Sequence, residues 1–130
     1  MQITHLNPDM LYKNPAFTQV VTVENPGRMV YVGGQNAIDA AGEIVGATLS
    51  TQTEQALKNV IAALEAAHAT PADVIKLQIY IVQNQDIREA LAASQKIWGT
   101  RPTAITTVIV AGLSDPRYLI EIDAIAAIKR

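Results

Sequence analysis

The sequence predicts an α+β fold: a mixed β-sheet with two helices packed on one face. Three observations lead there. Only two stretches carry apolar residues at helical spacing. Strand-like runs lie before, between and after them, which favours one layer of helices on one layer of sheet. The length, 130 residues, suits a single domain spanning 1–130.

The elements follow in order. Residues 1–15, with prolines at 8 and 15, read as irregular. "AFTQVVTV" (16–23) is rich in β-branched residues and predicts a strand. "NPG" (25–27) is a turn signal, and "RMVYV" (28–32) predicts a second strand, so the two are expected to form a hairpin. "GGQ" (33–35) ends it, and residues 39–46 carry a further turn and a short strand. Thr51 and Glu54 have capping-box spacing, and Leu57, Val60, Ile61 and Leu64 then mark an amphipathic helix that ends near His68. In "DVIKLQIYIV" (73–82), Leu77, Ile79 and Ile81 alternate with Lys76, Gln78 and Tyr80, the pattern of a strand covered on one side. Asp86 and Glu89 open a second helix with Ile87, Ala90, Leu91, Ser94 and Trp98 on one face and Gly99 beyond its end. Strands over 103–110 and 118–128, joined by the turn "SDPR" (114–117), close the order β-β-α-β-α-β-β.

Bulk chemistry narrows the function. The net charge of −2 gives no basic patch to drive nucleic-acid binding. There are no cysteines, which excludes disulfides, thiol catalysis and Cys-based zinc sites. The histidines, His5 and His68, are isolated and show no metal-ligand spacing. The N-terminus lacks the basic-then-apolar pattern of a signal peptide, and no run reaches the roughly 18 apolar residues of a membrane span. A soluble cytoplasmic protein with no membrane partner is expected. Charged residues make up only 17%, and the sheet face away from the helices carries apolar as well as polar residues. Monomers rarely expose such patches, so a cyclic oligomer that covers this face is expected.

Three places could carry chemistry. Arg101 precedes Pro102, which biases it toward extended geometry at the mouth of an apolar strand. Its guanidinium fork matches a carboxylate bidentately; a surface arginine paired with Asp or Glu is the alternative. Glu121 interrupts the apolar "YLIEIDAIA", with Asp123 on the same face roughly 6.6 Å away. Two such carboxylates could share acid/base work, or form a polar strand face or a salt bridge to Arg101 or Arg117. In "YVGGQ" (31–35) the paired glycines let the backbone approach a ligand and offer N–H donors, or simply form a turn or bulge. Neither G-x-G-x-x-G nor a P-loop is present.

The order of these signals is more specific than any one of them. "YVGGQ", then "QALKNVIAALEAA", then "DVIKLQIYIV", then "RPTAITTVIVAGLSDPRYLIEIDAIA" resembles the RidA family, also called YjgF or L-PSP, from about residue 15 to 128. The resemblance implies a chorismate-mutase-like fold assembled as a homotrimer, with ligand sites in intersubunit clefts. It implies hydrolysis of reactive 2-imino or enamine acids to 2-ketoacids and ammonia, without cofactor or metal. Arg101 falls at the arginine that binds the substrate carboxylate and Glu121 at the glutamate that handles water. Gly34 falls at a pocket glycine, followed by Gln35. Four positions depart from the family pattern: Gly33 replaces a serine, Phe17 a tyrosine, Leu91 an asparagine and Thr103 a cysteine. The resemblance also leaves room for a non-catalytic binder of small carboxylic acids and, more distantly, an endoribonuclease.

Overall fold

The computed structural model describes residues 1–130. Strand β1 (Gln2–Leu6) pairs antiparallel with β2 (Val20–Glu24) as a separate two-stranded ribbon. The main sheet has four strands, β3 (Arg28–Gln35), β4 (Val74–Val82), β5 (Ala104–Val110) and β6 (Ile120–Ile128), in the order β3-β6-β4-β5. β4 and β5 are parallel, and the other neighbours are antiparallel. Helices α1 (Leu49–Ala66) and α2 (Ile87–Ile97) complete the chain with a 3₁₀ turn, Pro71–Asp73.

The expected α+β layer is present, with two corrections at its N-terminal end. Residues 2–6 are a strand rather than irregular chain. The expected hairpin between 16–23 and 28–32 does not form, because β2 pairs with β1, while β3 pairs with β6. "ENPG" is therefore a corner between two sheets. Asn25 takes φ 51°. Gly27 passes so close to the chain's end that a Cβ there would stand 2.3 Å from the Arg130 nitrogen. The short strand expected over 39–46 reduces to a single bridge, Ile38 to Ile44.

The first helix is capped three residues earlier than predicted. Thr48 is the N-cap, and its hydroxyl accepts from the Thr51 N–H at 3.2 Å. Thr51 answers with its own hydroxyl, so the box spacing holds with a different pair. Glu54 is instead bound to Lys96 at 2.9 Å, tying α1 to α2. Asp86 caps α2 by accepting from the Arg88 N–H, and Gly99 leaves the helix at φ 76°, a conformation suited to glycine.

Leu49, Leu57, Val60 and Leu64 of α1 pack with Ile120, Ile122, Ala124 and Ala126 of β6 to form the core. Removing such side chains from water is the main force holding the layers together. α2 is different. It buries only Ala90 and Ala93, while Ile87 and Leu91, expected on its packed stripe, stay 50% and 54% exposed. On the other sheet face, Tyr31, Gln78, Tyr80, Val108, Glu121 and Asp123 follow from strand alternation and register. No helix covers them. No helix of the chain is long and apolar enough to cross a membrane.

Candidate functional site

Arg101 lies between the end of α2 and the start of β5. Its Nε donates to the Trp98 carbonyl at 3.2 Å. It makes no ion pair, so the alternative of a surface arginine satisfied by Asp or Glu does not hold. The terminal nitrogens of the fork have no protein partner.

Arg101 borders two cavities. The larger, about 410 Å³, runs between α2 and the helix-side face of β4 and β5. Phe17, Ile79, Leu91, Trp98 and Ile105 line it with Arg101. The smaller, about 120 Å³, is lined by His5, Val74, Arg101, Pro102 and Thr103 among others. Thr103 is 1% exposed, and its Oγ1 is a buried side-chain atom with no hydrogen-bond partner. Its carbonyl is occupied, accepting from the Thr18 N–H at 2.9 Å. Phe17, Leu91 and Thr103, scattered over the sequence, thus gather around Arg101.

The second group of expected site residues meets elsewhere. β3 pairs with β6 regularly as far as Val32 opposite Ala124, then shifts register before Gln35 meets Ile122. Gly33 and Gly34 occupy that irregularity, the bulge alternative for "GGQ". The irregularity brings Gly34 against Glu121, where a Cβ would stand 2.5 Å from Glu121 Oε2. Only glycine admits the carboxylate so close to the backbone. At Gly33 a Cβ would meet nothing within 4 Å. Gln35 turns back, its Nε2 donating to the Gly33 carbonyl at 3.0 Å.

Glu121 Oε1 accepts from Asn36 Nδ2 at 3.2 Å. The same amide donates to the Ile120 carbonyl at 3.1 Å. Asn36 is itself held from α1, for Asn59 Nδ2 donates to the Asn36 carbonyl at 2.9 Å and to the Ile38 carbonyl at 2.7 Å. Gln55 Nε2 completes the relay, donating to Asn59 Oδ1 at 2.9 Å. The expected salt-bridge alternative for Glu121 is not realised, because Arg117 binds Asp115, whose carboxyl it holds down to about 2 by hydrogen bonding. Asp123, two residues on, is pushed above the usual carboxylate value by burial and by the neighbouring Glu121 charge, with Lys76 opposing.

Within one chain Arg101 and Glu121 do not meet. Arg101 opens onto the helix side of the sheet. Glu121 lies opposite Tyr80 on the uncovered side, and β4 separates β6 from β5. Sequence reasoning missed Asn36, Asn59 and Gln55, which carry no motif of their own. It gave no role to His5, which stands isolated in the sequence with no metal-ligand spacing. His, Asp and Glu side chains form no group of three that could hold a metal ion.

Residues 10–128 match the family model described as Endoribonuclease L-PSP. A Lactococcus lactis protein named as the regulator AldR is 37% identical over 102 residues, covering 78% of this chain and 80% of the relative. The crystal structure of a Yersinia pestis protein of the conserved Rid family, YyfB, superposes with a TM-score of 0.86 at 34% identity, over 98% of this chain and 100% of that one. That of E. coli TdcF with bound serine gives a TM-score of 0.69 at 27% identity, over 90% and 97% of the two chains.

Proposed function

This chain belongs to the Rid (YjgF, L-PSP) family, and within that family we propose that it hydrolyses reactive 2-imino or enamine acids, such as 2-iminobutanoate and 2-iminopropanoate. The observation that carries this reading is the unpaired Arg101 fork at the mouth of a cavity. A guanidinium without a protein anion is a ready seat for a planar carboxylate. That the E. coli relative TdcF was solved with serine bound supports a small amino-acid-like ligand.

The chemistry needs a cation to fix the acid and a carboxylate to aim water. Arg101 binds the substrate carboxylate and orients the C=N carbon. Glu121, positioned by Asn36 and admitted by Gly34, accepts a hydrogen bond from water and directs its oxygen onto that carbon. One proton of the water passes to the imine nitrogen, giving a carbinolamine. The proton left on its hydroxyl then passes to the same nitrogen as the C–N bond breaks and the C=O forms, and ammonia leaves with the 2-ketoacid as product. No external reductant or metal enters the balance. Because one chain keeps the two groups on opposite sheet faces, the reading requires a second copy to supply Glu121 to Arg101. The uncovered sheet face suits the homotrimer that the family resemblance implies.

A second reading, a binder of small carboxylic acids without turnover, gains support from the regulator name of the L. lactis relative and from the hydroxyls absent at Gly33 and Phe17. One experiment separates the two. Generate the imine in situ with a dehydratase and follow its loss with the parent protein and with Arg101→Lys. Acceleration by the parent and a drop of about 100-fold in the variant are expected, because an ammonium keeps the charge but cannot fork. Equal rates remove the role assigned to Arg101. Thermal stabilisation by 2-ketoacids with no imine loss selects the binder.

A further inference from the structure

We infer that the 410 Å³ groove is the side-chain pocket of this site, and that the acids it takes carry a large apolar side chain, branched-aliphatic or aromatic in size. The inference rests on the site reading above and goes further by naming the substrate class.

The groove exists because of how α2 packs. Its buried residues are Ala90 and Ala93. Larger apolar side chains, Ile87 and Leu91, are left half exposed over β4 and β5. The volume lies within the range of small-molecule pockets, roughly 300–1,000 Å³.

The lining is selective in charge as well as polarity. Arg88 also borders the groove, but Asp86 neutralises it through a bond of 2.9 Å. Gln95 is engaged by the Thr100 hydroxyl at 2.7 Å. Arg101 is left as the one cation there without an anion. An occupant complementary to this cavity is apolar along its length and carries a single negative charge at one end. Two of the positions that depart from the family pattern, Phe17 and Leu91, both lie on this groove. Each places an apolar side chain in the lining.

At the head end the smaller cavity supplies an independent sign. Thr103 Oγ1 is buried beside Arg101 with nothing to bond to. An unsatisfied buried hydroxyl is costly, and a carboxylate or keto oxygen of a ligand would accept from it.

Stable 2-ketoacids test this without turnover. Titrate pyruvate, 2-oxobutanoate and 4-methyl-2-oxopentanoate by calorimetry into the parent, Leu91→Asn and Arg101→Ala proteins. Each carbon buried is worth about fourfold in affinity, so the dissociation constant should fall roughly 60-fold over the three carbons added across the series. Leu91→Asn, at a half-exposed position of the groove wall, should flatten the gradient, with Arg101 still holding the carboxylate common to all three acids. Arg101→Ala should abolish binding of all three. A flat series that still needs Arg101, as a groove closed by a second copy of the chain would give, overturns the pocket and leaves the deaminase reading intact. Binding indifferent to Arg101→Ala overturns both.

Discussion

Glu121 is held from two sides. The Asn36 amide donates to it at 3.2 Å, and the Gly34 backbone leaves room for it where any Cβ would stand 2.5 Å from its oxygen. Behind Asn36 stand Asn59 and Gln55 of α1, bonded in series. Arg101 has one tie, through Nε to the Trp98 carbonyl, and its fork is open. The contrast follows from what each group would have to do. A carboxylate that aims water works only if it is already aimed, so its neighbours fix it on a strand in advance. A cation that receives a ligand must keep its donors free until the ligand arrives. On the proposed reading its second partner is the substrate.

The sharpest way to break the carboxylate side is Gly34→Ala. The new methyl must displace the Glu121 carboxylate, and a misplacement of about 1 Å can cost on the order of 100-fold in rate. Imine hydrolysis should fall by that factor while 2-ketoacid affinity stays within about threefold, since Arg101 is untouched. Steady-state kinetics beside calorimetry read the two separately. An unchanged rate would mean that Glu121 does not handle the water.

Asn36→Ala attacks the same side from behind. It leaves the Ile120 carbonyl and Glu121 Oε1 without their donor. A lost buried hydrogen-bond partner costs about 1–3 kcal/mol, so urea unfolding should show a stability loss of that size. The rate should fall about tenfold with KM unchanged, the pattern of a residue that positions a catalytic group. A rise in KM at constant kcat would place Asn36 on the binding side instead.

How legible these two ends were in the sequence differs, for physical reasons. Arg101 could be found because Pro102 and the apolar strand after it are local signals. Glu121 could be found because a carboxylate stands out in an apolar alternation. The helices and β4 were legible from period, and the other main-sheet strands from strand-like runs beside turn signals. The ribbon was not. "QVVTV" has strand character, but nothing local states whether it pairs with the strand after it or with residues 2–6, which carry two polar residues and a histidine in five positions. Asn36 was invisible for a related reason. Its role depends on a bond to a residue 85 positions away, and an asparagine after a turn looks the same with or without it. The groove beside α2 was hidden too, because an apolar stripe on a helix predicts packing, and only the structure shows Leu91 left half exposed.

On the Arg101 side the comparison sharpens with Thr103→Val. The hydroxyl is buried and unpartnered, so its replacement by a methyl of similar size removes a desolvation cost and should raise stability by about 1 kcal/mol. The same change removes a donor from the head of the site, and 2-ketoacid affinity should drop several-fold, about the worth of one hydrogen bond. Opposite signs in thermal denaturation and in calorimetry are the expected signature of a group kept for a ligand. A variant that loses stability would show instead that the hydroxyl is satisfied within the folded protein.

The smallest expected effect is at Gly33, one residue from the most sensitive glycine. A Cβ at Gly33 meets nothing within 4 Å, and its backbone does not lie in the left-handed region that excludes other residues. Gly33→Ser should therefore change stability by no more than about 0.5 kcal/mol, the range of ordinary surface substitutions. Two adjacent glycines then differ sharply, one tolerant and one not, because only Gly34 faces the carboxylate. The same measurement also probes assembly. The open space at Gly33 is defined for one chain, and the deaminase reading needs a second copy near Glu121. If Gly33→Ser costs well over 1 kcal/mol in thermal denaturation, that space is filled by a neighbouring chain, and repeating the scan over a range of protein concentrations identifies it, because a dissociating oligomer has a concentration-dependent Tm.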